Sequence, residues 1–105
     1  MKKNSRIENV NYLKRRYQKN PDIVFRKIAE EYILVPIRQR MGDLESIYVL
    51  TEVSARIWEL IDGEREVGEI GDKIIEEFEV IPEKAEKDLN EFLQKLEKIE
   101  GIKLT

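Results

Sequence analysis

Carboxylates are the only side chains in this chain placed closely enough to suggest acid and base chemistry, with Glu30 beside Glu31 and Glu76 beside Glu77. Two neighbouring carboxylates divide into an acid and a base when burial drives their protonation apart. These four fall where a turn and a solvated helix face are expected, so that condition is not met. Histidine and cysteine are both missing. Their absence removes the usual near-neutral base, the thiolate nucleophile, the disulfide and the common zinc ligands. Ser46, Ser54 and Thr51 then have no histidine to activate them. Gly63, Gly68 and Gly71 lack the glycine-lysine-serine/threonine pattern that cradles phosphate, and no calcium-loop spacing occurs. The expectation is a protein that is not an enzyme and holds no cofactor and no metal.

If the chain performs no reaction, its elements must position a surface instead. At 105 residues with 41% hydrophobic and 39% charged side chains, it suits one domain with a solvated exterior. No stretch approaches the roughly 18 apolar residues that span a bilayer, and the start lacks the apolar centre of a secretion signal. A cytoplasmic location with no membrane partner is the default expectation. The net charge of -3 hides an asymmetry: Lys2, Lys3, Arg6, Lys14, Arg15, Arg16 and Lys19 against Glu8 give residues 1–20 a charge of +6, leaving -9 for the rest. Such an arm suits nucleic acid, a membrane surface or an acidic protein, and equally a solvated terminus.

Within the arm, Ile7, Val10, Leu13 and Tyr17 fall on one helical face. Asn20-Pro21-Asp22 then breaks the chain, which divides it into a basic extension over 1–20 and a domain over 21–105. Residues 23–37, "IVFRKIAEEYILVPI", are rich in β-branched and aromatic types and predict two antiparallel strands turning at Ala29-Glu30-Glu31. Residues 38–46 read as a loop, and 47–50 as a third strand. Thr51 is suited to cap a helix over 52–61, in which Val53, Ile57, Leu60 and Ile61 share a face with Trp58 beside them, and Gly63 closes it. Val67, Ile70, Ile74 and Phe78 predict a second helix over 67–78, with close packing as the reason for Gly68 and Gly71. Pro82 opens a third helix, whose stripe of Ala85, Leu89, Phe92, Leu96 and Ile99 runs to Gly101. "IKLT" at the end adds a short strand or covers the core.

Three strands followed by three helices give an α+β domain resembling a winged helix-turn-helix. That shape raises nucleic-acid binding as an alternative, yet on the third helix Lys84, Lys87, Lys95 and Lys98 face Glu83, Glu86, Asp88, Glu91, Glu97 and Glu100. Phosphate binding draws on neutralising charge that this acidic body does not supply. A structural adaptor or dimerisation domain is a further alternative, because an open strand edge can pair with a second copy.

The order of strands with "YVLTEVSARIWELIDGEREVGEI", "IIEEFEV" and "AEKDLNEFLQKLEKIEGIKL" resembles the coenzyme PQQ synthesis protein D (PqqD) family over residues 21–104. The chain departs from it at Thr51, where asparagine is frequent, at Glu66, where threonine or serine is frequent, in the long link 38–46, and in the basic extension. The resemblance implies a non-catalytic domain that recognises the leader of a ribosomally made precursor peptide and presents it to a modifying enzyme, commonly a radical S-adenosylmethionine enzyme. It also implies that the leader adds a strand beside the third strand, in the groove facing the third helix. Carried over by position, Ile47, Tyr48, Val49 and Leu50 supply the edge, and the third helix supplies the opposite wall. There Leu89, Phe92 and Leu96 divide between core and peptide, while Leu93 and the stems of Lys84 and Lys95 are the groove candidates. Tyr48 is balanced between core and groove, and Trp58 belongs to the core.

Overall fold

A computed structural model describes residues 11–37 and 47–105. In chain order the elements are β1 (Tyr17–Lys19), β2 (Ile23–Ile28), β3 (Glu31–Pro36), β4 (Tyr48–Leu50), α1 (Glu52–Leu60), α2 (Val67–Phe78), α3 (Pro82–Lys98) and β5 (Ile102–Leu104). β2, β3 and β4 form an antiparallel sheet in that order, and β1 pairs with β5 in a separate antiparallel ribbon. The α+β expectation, a three-stranded antiparallel sheet followed by three helices, is what the structure has.

Alternation along β2 and β3 decides which side of the sheet is buried. Phe25 pairs with Leu34 and Leu34 with Tyr48, whereas Arg26 pairs with Ile33 and Ile33 with Val49. The first set faces the helices, where Leu34 is fully buried and the rings of Phe25 and Tyr32 stack at 5.8 Å. The second set faces outward and leaves Val49 63% exposed. Ala29, at φ 56°, makes the tight turn between β2 and β3.

The helices close over the inner face. Thr51 Oγ1 accepts a hydrogen bond from Ser54 N at 3.0 Å, so the cap expected from the sequence forms. α1 ends at Leu60, one residue short of the expected 61, because Asp62 starts a side-chain turn: its Oδ1 accepts from Glu64 N at 2.9 Å and from Arg65 N at 2.8 Å. Gly63, at φ 84°, serves that turn and not the helix end itself. α2 has the bounds read from its stripe, and α3 stops at Lys98 before a chain reversal at Gly101. A Cβ on Gly101 would stand 3.2 Å from Ile23 Cδ1, so β2 approaches closely enough that a side chain there would have to displace that methyl. Trp58 lies in the core, 3% exposed, together with Ile57, Val67, Ile74, Leu89, Leu93 and Leu96.

The backbone donors that Asp62 gathers hold its carboxyl below the usual carboxylate range. A depressed folded value means the contribution is complete above the unfolded value, and it disappears as pH falls through the folded one. Asp62→Ala is expected to lower stability by about 0.5–1 kcal/mol at neutral pH, an exposed-site hydrogen-bond effect. The gap between variant and parent should narrow below pH ~4, as denaturant titrations across that range will show.

The helical reading at Tyr17 is corrected. Tyr17 was expected on a helical face of an extension ending at residue 20, but residues 11–13 alone are helical among the described part of that segment. Tyr17 begins β1, pairs with Leu104 and is 2% exposed. Its hydroxyl donates to Glu97 Oε2 at 2.8 Å and accepts from Arg15 Nη1 at 3.2 Å. Arg16 reaches Glu66 at 3.1 Å, and Lys19 Nζ lies 5.2 Å from the centre of the Trp58 ring. The packed body therefore includes β1, and three of the basic side chains are engaged within the protein. A spacing of three or four residues in so short a segment could not separate helix from strand. The positions of Ile7 and Val10 in the same expectation lie outside the described residues.

Candidate functional site

β4 ends the sheet, and no strand of the described residues pairs with its outer edge. An unpaired edge presents backbone donors and acceptors that want partners. Next to it runs a groove of about 300 Å³ between β4 and α3, lined by Leu34, Ile47, Tyr48, Val49, Leu50, Thr51, Ser54, Phe92, Lys95, Leu96 and Ile99. Lys95, Leu96 and the C-cap residue Ile99 follow Phe92 at three, four and seven residues, one face of α3 and its end. Leu34 forms the floor, placed beneath Tyr48 by the strand register. Thr51 and Ser54 bring the first turn of α1 to the end of β4. The groove thus mixes apolar side chains with polar surface, with one cation on a wall and a vacant backbone edge along one side.

Of the residues singled out from the sequence, the structure brings Ile47, Tyr48, Val49, Leu50, Phe92, Lys95 and Leu96 to this groove. It does not bring Lys84, Leu89 or Leu93 there. Leu93 is 1% exposed in the core: a rotation of about 100° from Phe92 carries it toward the packed interior, not toward the groove. Leu89 is buried too, with its Cδ2 3.5 Å from the position a Cβ on Gly71 would take. Lys84 Nζ pairs with Asp88 Oδ2 at 2.9 Å on the exposed side of α3. Sequence reasoning missed Leu34, Thr51, Ser54 and Ile99 as groove residues. Ile99 continues the Phe92–Leu96 stripe and was legible, whereas the place of Leu34 depends on strand register.

A larger cavity, about 600 Å³, lies between residues 12–15 and the first half of α3, lined by Tyr12, Leu13, Arg15, Glu83, Glu86, Lys87, Leu89 and Asn90. The hydroxyl of Tyr12 is buried with no hydrogen-bond partner among the described residues, and burial pushes its pKa up to about 12. That cavity has no vacant strand edge, and its charges are of both signs. Among the described residues no group of three or more acidic side chains is placed to hold a metal ion, and no helix is long and apolar enough to cross a membrane.

The features of the groove run through β3, β4, α1 and α3, and residues 31–100, which contain all of them, match the family description of coenzyme PQQ synthesis protein D (PqqD). The chain belongs to the PqqD family. A search of curated proteins finds no match. Among solved structures, this PqqD-family chain is similar to TbiB1 in complex with the TbiA(beta) leader peptide, at 27% identity and a TM-score of 0.65. That similarity covers 82% of this chain and 94% of the other. It extends beyond the family match, so the PqqD-family element and the parts around it are shared as a fold. Thr51, one of the positions read from the sequence as a departure, makes the capping hydrogen bond through its hydroxyl.

Proposed function

We propose that this protein binds the leader of a ribosomally made precursor peptide as an added strand on the outer edge of β4, and presents that peptide to a modifying enzyme. The observation that carries the reading is the vacant edge of β4 beside a groove lined largely by apolar side chains, in a chain similar to a leader-bound protein. Main-chain hydrogen bonds to an extended guest supply affinity with little demand on sequence, and the groove reads alternate side chains of the guest. A binding role without turnover accords with the chain's lack of histidine and cysteine. The enzyme served is of the radical S-adenosylmethionine class or another peptide-modifying class, and it works with this domain in the cytoplasm.

Titrating a leader encoded beside this chain, while recording backbone amide shifts, tests the reading. Shifts are expected at Ile47, Tyr48, Val49 and Leu50 and along Phe92, Lys95, Leu96 and Ile99. Shifts confined to residues 1–20 would sink it. The nucleic-acid alternative predicts a steep salt dependence for DNA or RNA. It is disfavoured because Lys84 and Lys87 of α3 are already paired with Asp88 and Glu91. Pairing of two copies through the same edge would appear in light scattering as a dimer that the leader dissociates.

A further inference from the structure

We infer that Lys95 makes the groove selective for a peptide with an acidic residue within two positions of an apolar one. This inference rests on the strand-addition reading above. Among the described residues, Lys95 is the only charged side chain lining the groove. The two lysines before it on α3 are engaged, Lys84 with Asp88 at 2.9 Å and Lys87 with Glu91 at 2.8 Å. Lys95 has no ion-pair partner among the described residues. Its own helix offers little competition, since Glu91, one turn earlier, is held by Lys87, and Ile99, one turn later, is apolar.

The surroundings strengthen the preference. Phe92, Leu96, Ile99 and Tyr48 line the groove around the stem of Lys95, and a lysine packed along apolar side chains offers its ammonium to a charge brought in from outside. Water excluded by a bound strand would raise the attraction above that of an open surface pair. Residues 21–105 carry a net charge of -9, so a strongly acidic segment would be repelled by the body as a whole. One carboxylate placed by the groove is therefore selected, not a run of them. Phe92 and Ile99 stand about 10.5 Å apart along the helix axis, the span of about three extended residues. Lys95 falls between them, which sets the separation of acid and anchor.

Selection of a random displayed peptide library on the full-length chain, and in parallel on Lys95→Glu, tests the inference. The wild type is expected to enrich alternating apolar peptides with aspartate or glutamate within two positions of an anchor, and Lys95→Glu to enrich lysine or arginine there. A selected peptide synthesised with glutamate should bind the wild type about threefold to fivefold more tightly than its glutamine counterpart, and Lys95→Glu should lose that preference. Circular dichroism of the variant, expected to match the parent, confirms that the fold is kept. Enrichment of apolar peptides with no charge preference, or with the same preference in both proteins, would overturn the role of Lys95 and leave strand addition standing. If selected peptides perturb no amide of Ile47–Leu50, strand addition itself falls, and this inference with it.

Discussion

Methylating the backbone nitrogens of a bound peptide one at a time is expected to abolish binding at every second position and leave it nearly unchanged between them. A guest strand turns alternate N–H groups toward its neighbour and the rest away from it. Each methyl on a facing nitrogen removes a main-chain bond and adds bulk against β4, so affinity should drop by more than about tenfold at those positions. Uniform tolerance would mean that side chains alone hold the peptide. The domain is untouched in this experiment, so loss of fold cannot imitate the result. The reciprocal test uses the edge itself. Val49 lines the groove and is 63% exposed, so Val49→Ala, which keeps the backbone donor, should cost less affinity than proline at the same position. Proline at 48 and at 49 should differ, because successive N–H groups of β4 point to opposite sides. One replacement removes a donor from the guest's side and spares stability, whereas the other breaks the ladder to β3 and lowers the melting temperature.

Leu93→Ala is expected to cost about 2–5 kcal/mol of folding stability while leaving the affinity of the folded protein unchanged. Leu93 is 1% exposed and does not line the groove, so truncation leaves a cavity between α3 and the other helices without altering the peptide's surroundings. For a domain of this size the melting temperature should fall by more than about 10 °C, measurable by calorimetry or circular dichroism. Leu96→Ala is the contrasting variant, because Leu96 is 1% exposed and also borders the groove. It should lower both stability and affinity. A loss of affinity at Leu93 equal to that at Leu96, measured below both melting temperatures, would show that peptide reaches deeper than the groove does in the free protein.

These two leucines also show where sequence reasoning stopped. The stripe on α3 identified a helix with a buried side, since a period of three to four residues is a local property of one helix. The buried face is wider than a single stripe, because α3 packs against α1, α2 and the sheet together. Placing Phe92 at the groove and Leu93 in the interior required knowing which way that wider face turns. Lys84 and Lys95 looked equivalent as charges with long stems, yet a carboxylate one turn away claims the first, and only the second borders β4. β1 went unseen for a similar reason. Three residues carry too little periodicity to declare a strand, and its partner, β5, lies at the far end of the chain.

From the sequence alone come the β2–β3 hairpin, the capped α1, the bounds of α2 and the position of β4, because turn residues, caps and hydrophobic period act over a few neighbours. The composition also excludes chemistry by histidine or cysteine side chains of this chain, since no fold can supply residues the chain does not contain. Tertiary structure decided what faces the open edge: strand register put Leu34 beneath Tyr48, and the docking of α3 assigned Lys95 to the groove and Leu93 to the interior. Those outcomes depend on packing between segments far apart in the chain, which no local pattern encodes.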